Sequence, residues 1–188
     1  MAKSPKPGLL RIHPHVTPSP NDPPGADKFY RAFGMAIIAW GRLEGLFVAC
    51  LMMVIQIAND KRIRTKLPMK WERQAIIWED AFERIPSLKS LKREAAVFFA
   101  EFDDMSKDRN LMVHGLFEGF QPQPPLAIEV LKMKAASGAL VEFRRTTIDI
   151  DGLTRFTAEA NHLILELTKI GSALSALHGV PPPDAQIL

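Results

Sequence analysis

The sequence predicts a mainly α-helical protein, an antiparallel four-helix bundle with a β-hairpin inserted between helices 3 and 4. Four segments repeat apolar residues at spacings of three and four, which is the pattern of amphipathic helices. Between residues 116 and 150 the pattern changes to that of strands. The length of 188 residues suits one domain with a single core.

Both ends of the chain are rich in proline, which favours extended or disordered backbone over packed helices. Residues 1–26 contain seven prolines and are predicted to be an extended or disordered lead-in. Residues 180–188 form a shorter proline-rich tail. The helical domain is therefore expected between residues 27 and 179.

The first predicted helix begins at Asp27 and ends at Asn59-Asp60. After residue 45 it is apolar nearly all round, so we expect it to be central or to be covered by another subunit. A basic stretch spans the following turn, and Pro68 can start a second helix that stops before Pro86. The inward face of this second helix is predicted to carry Trp71, Ala75, Trp78, Phe82 and Ile85.

The third helix is predicted to start after Ser87, a favoured N-cap residue, and to end at Gly115, a residue type favoured just past helix ends. Two strands follow, over residues 126–134 and 139–147, with residues 135–138 as their turn. The last helix opens near Asp151 and stops at Gly179, before three consecutive prolines.

Composition argues against several classes of function. A net charge of +3 and a pI near 9.1 are compatible with a nucleic-acid partner without being diagnostic of one. Cys50, the single cysteine, lies in an apolar run, so we expect a buried core thiol rather than a nucleophile. The sequence has no glycine-rich phosphate loop and no metal-ligand spacing, and we expect neither a cofactor nor a metal.

No membrane or secretory segment is predicted. Prolines interrupt the first residues, where a signal peptide requires an apolar run. The most apolar stretch, residues 45–55, has eleven residues, whereas spanning a bilayer takes about 20. We therefore expect a cytoplasmic protein with no membrane contact.

Two charged residues, Glu44 in helix 1 and Arg109 in helix 3, occupy positions at which the helical repeats require an apolar side chain. A charge directed into a core is costly unless it is paired, so these opposite charges are predicted to meet. A purely structural ion pair would fit the same observation, and the sequence leaves this alternative open.

Asn110 and His114 lie four residues apart, so they share one face of helix 3. On an ideal helix Arg109 and His114 point about 140° apart. Arg109 is therefore predicted to face the bundle, with Asn110 and His114 beside it. A two-fold axis along this face would bring two copies of Asn110 and His114 into one cleft.

The segment Arg109-Asn110-Leu111-Met112-Val113-His114-Gly115, at the end of a third helix, resembles the R-x4–6-H motif of HEPN domains. The first helix, with its Trp40 and Glu44, is similar to HEPN-like bacterial proteins that place a Trp and a Glu there. The resemblance covers residues 27–178 or so, with its specific part confined to the motif. It implies an all-α bundle, commonly dimeric, and in many members a metal-independent ribonuclease of toxin–antitoxin, defence or RNA-processing systems.

The resemblance also implies catalytic roles for four residues. His114 would take the proton from a ribose 2′-hydroxyl, because an imidazole changes its protonation near neutral pH. Arg109 would bind the scissile phosphate, and Glu44 would fix the direction of Arg109. Asn110 would orient His114 or hold a phosphate oxygen. The product would be a 2′,3′-cyclic phosphate, with no metal required.

Clustered cations could track an RNA backbone. A solvated charged surface explains them equally well. The candidate RNA-binding residues are Arg62, Arg64, Lys66 and Lys70 in the basic stretch, and Arg144 and Arg145 on the hairpin near Lys132 and Lys134.

The leading hypothesis is a homodimeric HEPN-like endoribonuclease with an RNA substrate and a toxin or defence role. The alternative is a non-catalytic HEPN-like bundle that binds RNA, a nucleotide or a protein partner, and a third reading is a helical protein without a site. An antitoxin is a further candidate partner. HEPN toxins paired with nucleotidyltransferase antitoxins typically carry a Tyr two residues after the motif His, where this chain has Leu116.

Overall fold

The computed structural model describes residues 21–58, 67–68, 70–135 and 141–178. Within these ranges the chain is mainly helical, with four α-helices and a three-stranded antiparallel sheet. The predicted lead-in up to residue 20, the helix end at Asn59-Asp60, the hairpin turn after residue 135 and the tail lie outside the described residues. The elements in chain order are α1 (Ala26–Ala58), α2 (Trp71–Arg84), a 3-10 turn (Pro86–Leu91), α3 (Lys92–His114), β1 (Leu116–Phe120), β2 (Ala127–Ala135), β3 (Val141–Asp149) and α4 (Ile150–His178).

The helix α1 forms the centre of the core. Its buried residues follow the spacing of three and four because one face of a helix repeats every 3.6 residues. Phe47 is fully buried, and its ring contacts Trp71 and Trp78 of α2 and Phe102 of α3. By length and composition alone α1 could also cross a membrane, a weak criterion that buried core helices satisfy as well.

Contacts along the helices establish their relative directions. Those between α1 and α4 advance along both helices, so these two helices are parallel. The pairs are Trp40 with Phe156, Cys50 with Leu167 and Met53 with Ser175. The helix α3 runs opposite to α1, because Phe47 contacts Phe98 while the earlier residue Glu44 contacts the later residue Arg109.

The predicted antiparallel arrangement therefore does not hold for α1 and α4. Short loops force neighbouring helices to be antiparallel, whereas longer connections leave their direction open. Here twelve residues separate α1 from α2, and a whole sheet separates α3 from α4.

The start of α3 also differs from the prediction. Ser87 lies within the 3-10 turn and does not cap α3, which begins at Lys92. Pro86 opens the 3-10 turn, where its missing N–H has no intrahelical partner to lose. Leu88 in this turn is fully buried and anchors it to the core. The end of α3 at His114, followed by Gly115, is as predicted.

The sheet between α3 and α4 has one strand more than predicted. The strands β2 and β3 are those of the expected hairpin, shifted by one or two residues, and they pair with β1 in the order β1-β2-β3. β1 has five residues, too few to show a clear period, and includes Gly119 with a φ of +132° beside a shift in register. It is held by β2 and by contacts of Phe117 and Phe120 with Phe33 and Phe29 of α1.

Candidate functional site

The last two turns of α3 bring Arg109 against α1. Its Nη2 atom lies 3.3 Å from Glu44 Oε2 and 3.4 Å from Glu44 Oε1. The Trp40 indole donates a hydrogen bond from Nε1 to Glu44 Oε2 at 3.2 Å. Arg109 Cζ lies 5.7 Å from the centre of the Trp40 ring, within the range of a cation–π interaction. The structure thus brings Arg109 and Glu44 together, as predicted, and adds Trp40 to the pair.

This ion pair lies at the edge of the core and not inside it. The side chain of Arg109 is 25% exposed and that of Glu44 is 43% exposed. Water screens a pair of this exposure, so its contribution to stability is about 1 kcal/mol or less. The expectation that both charges point into the core is therefore corrected. Trp40 is the buried member, and it presents its ring and its N–H to the pair.

Asn110 is the second neighbour of the Arg109 guanidinium. Its Oδ1 accepts a hydrogen bond from Arg109 Nη1 at 2.9 Å. The carbonyl of the Asn110 amide is therefore engaged with Arg109. Its N–H groups are the donors that could meet a phosphate oxygen or His114.

His114 lies on the last turn of α3 and is exposed, as is Asn110 one turn earlier. The two residues share a face because they are four positions apart. A ligand can reach the imidazole from solvent, whereas the Arg109 side chain points about 140° away around the helix. This arrangement agrees with the helical geometry expected from the sequence.

Three exposed apolar side chains neighbour His114 in the chain, and we call them the motif patch: Val113, Leu116 and Phe117, which are 47%, 59% and 44% exposed. Leu116 and Phe117 are consecutive residues of β1, so they point to opposite faces of the sheet. Phe117 packs edge-on against Phe33, with 5.8 Å between ring centres. Neighbouring exposed apolar groups commonly mark an interaction surface. The sequence alone did not predict this patch, because the exposure of side chains at the end of α3 depends on how the following strands pack over them.

Gly115 joins α3 to β1 in an extended conformation, with φ −71° and ψ 149°. Glycine is therefore not required here for a left-handed helix cap. It is required for space, because a methyl group would overlap Cγ1 of Val130 and lie 2.5 Å from the carbonyl oxygen of Leu111. This close approach seats β2 against the end of α3.

The predicted RNA-binding cations fall into different surroundings. Arg62, Arg64 and Lys66 lie outside the described residues, and Lys70 is exposed just before α2. Arg145 Nε lies 2.9 Å from Glu118 Oε2 and 3.6 Å from Glu129 Oε2. The hydrogen bond to Glu118, followed by the charges of Glu118 and Glu129, raises the pKa of Arg145. Arg145 is thus engaged by carboxylates of the protein itself, whereas Arg144 stands opposite Lys132 in the sheet register.

The remaining residues that could act as a nucleophile, a metal ligand or a base have weaker support. Cys50 is fully buried, as predicted, and burial raises the pKa of its thiol to about 12, which disfavours the reactive thiolate. Asp103 and Asp104 pair with Lys107. Among the described residues no cluster of three or more potential metal ligands occurs. His162 is exposed on α4, in a groove beside Asp108.

The site therefore combines a guanidinium of fixed direction, an amide and an exposed imidazole within two turns of α3. Arg109 can bind an anionic oxygen and His114 can exchange a proton, on directions of the helix about 140° apart. Comparison of the chain with protein-family models, with curated proteins and with solved structures finds no match.

Proposed function

We propose that this chain is a HEPN-like, metal-independent endoribonuclease that acts as a homodimer. The observation that carries the proposal is the Arg109 guanidinium, which Glu44, Trp40 and Asn110 hold in one direction at the end of α3, beside the exposed His114. We also propose that the fold is a four-helix bundle of HEPN type, with the three-stranded sheet inserted between α3 and α4.

In the proposed reaction His114 removes the proton from a ribose 2′-hydroxyl. The 2′-oxygen forms a bond to phosphorus while the bond to the 5′-oxygen breaks, and the leaving oxygen takes up a proton. The products are a 2′,3′-cyclic phosphate and a 5′-hydroxyl. Arg109 stabilises the negative charge that develops on the phosphate oxygens. Its contacts to Glu44 and Asn110 involve Nη2 and Nη1, and the Nε–H is a further donor for the phosphate.

The motif patch supports the dimer in this proposal. It exposes apolar surface on both sides of His114, so a second copy that buries the patch would bring two sites together. An interface of ordinary size buries about 800 Å² on each partner, more than three side chains supply. The rest of such an interface would have to come from residues around the patch. We infer that the dimer is cytoplasmic, with RNA as substrate and a toxin or defence role.

The contacts of Arg109 also support a second candidate function, that of a non-catalytic binding protein. A guanidinium that already meets a carboxylate, an amide and an indole ring also has the partners of a structural ion pair. The competing proposal is thus a non-catalytic bundle of the same type, which binds RNA, a nucleotide or a protein partner such as an antitoxin through the motif patch.

Cleavage of labelled RNA by the purified protein in EDTA tests the enzymatic proposal. His114→Ala is expected to lower the rate by about 100-fold or more, because a positioned general base contributes on that order. Arg109→Ala is expected to lower it comparably, because a charge-stabilising group is lost. His162→Ala removes an exposed imidazole of α4 and is the matched control, expected to cleave like the wild type. Cleavage that is unaffected by His114→Ala, or that disappears in EDTA, would overturn the metal-independent mechanism at His114. The absence of any cleavage would favour the binding bundle.

A further inference from the structure

A cleft of about 280 Å³ lies between the last turns of α3, the end of β3 and the first turns of α4. We call it the Arg155 cleft. The buried side chains of Met112 and Phe156 line it, so part of its wall is apolar. Three polar residues border the same space: Asp108 from α3, Thr146 from β3 and Arg155 from α4. Apolar walls with a few polar groups directed between them are typical of ligand sites.

The Arg155 cleft has opposite charges on two helices that are not paired with each other. Asp108 and Arg155 are both exposed. Within the described ranges neither side chain forms an ion pair or a hydrogen bond, either with the other or with a third residue. A carboxylate only accepts hydrogen bonds and a guanidinium only donates them. A ligand that offers N–H donors on one side and acceptor atoms on another can therefore satisfy both groups at once.

The charges around the Arg155 cleft disfavour a phosphate. Asp149 is a second carboxylate in its lining, and its Oδ1 accepts a hydrogen bond of 2.7 Å from the backbone N–H of Gly152. This bond satisfies the first turn of α4, where an anion would otherwise be favoured. Two carboxylates beside one guanidinium repel an anionic group. The cleft therefore suits an uncharged ligand that carries hydrogen-bonding groups.

The Arg155 cleft adjoins His114 along the surface of α3. Asp108, Leu111 and His114 follow one another at intervals of three residues, so they form a row on the helix. Side chains three residues apart are neighbours, with about 5–6 Å between their Cβ atoms. Leu111 lines the cleft, and His114 is the next side chain of the row beyond it. On the exposed side of the helix, which includes Asn110, His114 thus lies between the cleft and Arg109.

We propose that the Arg155 cleft binds a guanine base of single-stranded RNA, the base of the nucleotide on the 5′ side of the scissile phosphate. Guanine has adjacent N–H donors at N1 and N2, which match Asp108, and adjacent acceptors at O6 and N7, which match Arg155. The other three bases have a single donor group each. A guanine in the cleft directs its ribose over Leu111 towards His114, which removes the 2′-proton in the proposed reaction.

The place of the base in an RNA substrate rests on the proposed ribonuclease function. The preference for guanine does not, because it rests on the unpaired Asp108 and Arg155 at one cleft. The experiment therefore has one arm that needs no cleavage and one arm that follows it.

The first arm measures the binding of the four nucleoside 3′-monophosphates to the full-length protein by calorimetry in EDTA. Guanosine 3′-monophosphate is expected to bind about tenfold or more tightly than the other three, because a bidentate contact discriminates between bases by about that factor. Asp108→Asn and Arg155→Gln are each expected to remove this preference. Circular dichroism of each variant confirms the fold.

Two matched controls remove the same charges outside the cleft. Glu101→Gln changes an exposed carboxylate seven residues before Asp108, on the same side of α3. Arg93→Gln changes an exposed guanidinium in the first turn of α3. Both variants are expected to keep the wild-type preference for guanosine 3′-monophosphate.

The second arm follows cleavage of an oligouridine that contains one guanosine. The wild type is expected to cut on the 3′ side of the guanosine about tenfold or more faster than at the uridines. Asp108→Asn is expected to cut all positions at similar rates, since its His114 and Arg109 are intact.

The two arms separate failure of the cleft from failure of the enzyme. Equal binding or no binding of the four monophosphates, a preference for another base, or a preference that survives both Asp108→Asn and Arg155→Gln would overturn the guanine site. Cleavage without a preference for guanosine would overturn its role in the substrate and leave the ribonuclease. Selective binding of guanosine 3′-monophosphate without cleavage of any RNA would overturn the ribonuclease and leave a site for a guanine nucleotide.

Discussion

Trp40 and Glu44 lie one turn apart on α1, and this spacing lets them act together on Arg109. The Trp40 N–H donates to the Glu44 carboxylate, and the same carboxylate contacts Arg109 Nη2. The indole ring lies beside the guanidinium at 5.7 Å. Arg109 has many rotamers in water, so contacts that restrict it reduce the entropy lost when a phosphate binds. We therefore regard Trp40 and Glu44 as positioning residues.

Glu44→Gln is expected to lower the kcat of RNA cleavage about tenfold or more while KM changes little, because the charge that aligns Arg109 is lost. The free energy of unfolding is expected to fall by about 1 kcal/mol or less, since the pair is partly exposed. Steady-state kinetics and urea denaturation measure the two effects. Glu166→Gln, which breaks an exposed pair with Lys169, is the control. Full kcat in Glu44→Gln would show that Arg109 needs no such alignment.

Replacement by alanine is expected to change the free energy of unfolding in opposite directions at two glycines, Gly115 and Gly45. Gly115→Ala should destabilise the protein by about 1–3 kcal/mol, the usual penalty for overpacking, because the new methyl group overlaps Val130. Gly45→Ala should stabilise it by about 0.5–1 kcal/mol, because Gly45 lies inside α1 with no atom in the way of a Cβ. Thermal denaturation of both variants measures the difference. Equal effects of the two substitutions would contradict the packing of β2 on the end of α3.

At the scale of elements, the aromatic cluster around Phe47 joins three helices. Phe47 contacts Trp71 and Trp78 from α2, and Phe98 and Phe102 from α3. Rings at these distances gain dispersion and edge interactions in addition to the burial of apolar surface. The cluster explains how α2, a helix of only 14 residues, is kept in place.

Phe47→Ala is expected to lower the free energy of unfolding by about 3–5 kcal/mol, because it leaves a cavity among the three helices. Chemical denaturation followed by tryptophan fluorescence reports the loss, since Trp71 and Trp78 line the cavity. Val97→Ala on the exposed side of α3 serves as control and should change stability by less than about 0.5 kcal/mol. A small effect of Phe47→Ala would mean that α2 is held by other contacts.

The elements themselves were predictable to different degrees. The bodies of α1, α3 and α4 follow from their apolar repeats, and β2 and β3 from their change of period. β1 did not follow, because five residues with an internal glycine become a strand only through pairing with β2 and contacts with α1. The 3-10 turn was missed for a related reason, since burial of Leu88 and not a cap at Ser87 determines where α3 begins.

At the scale of the whole molecule, the proposed dimer makes the motif patch the surface through which two copies would share their sites. Val113→Glu with Leu116→Glu is expected to convert a dimer into a monomer and to abolish RNA cleavage, because charges in an apolar interface must be desolvated. Light scattering after size-exclusion chromatography measures the mass. Leu165→Glu, at an exposed position of α4, should remain dimeric and active. A monomeric wild type, or a double variant that stays dimeric, would remove the dimer from the proposal.

The sequence by itself determined the helical class, the buried Cys50, the end of α3 at Gly115 and the meeting of Arg109 with Glu44. These depend on local periodicity, or on the strong requirement that charges on apolar stripes find a partner. The tertiary structure decided the parallel direction of α1 and α4, the third strand and the position of the ion pair at the edge of the core. It also decided that Arg145 meets two carboxylates while Arg144 stands opposite Lys132. Each of these depends on residues far apart in the chain, whose relative positions no local pattern contains.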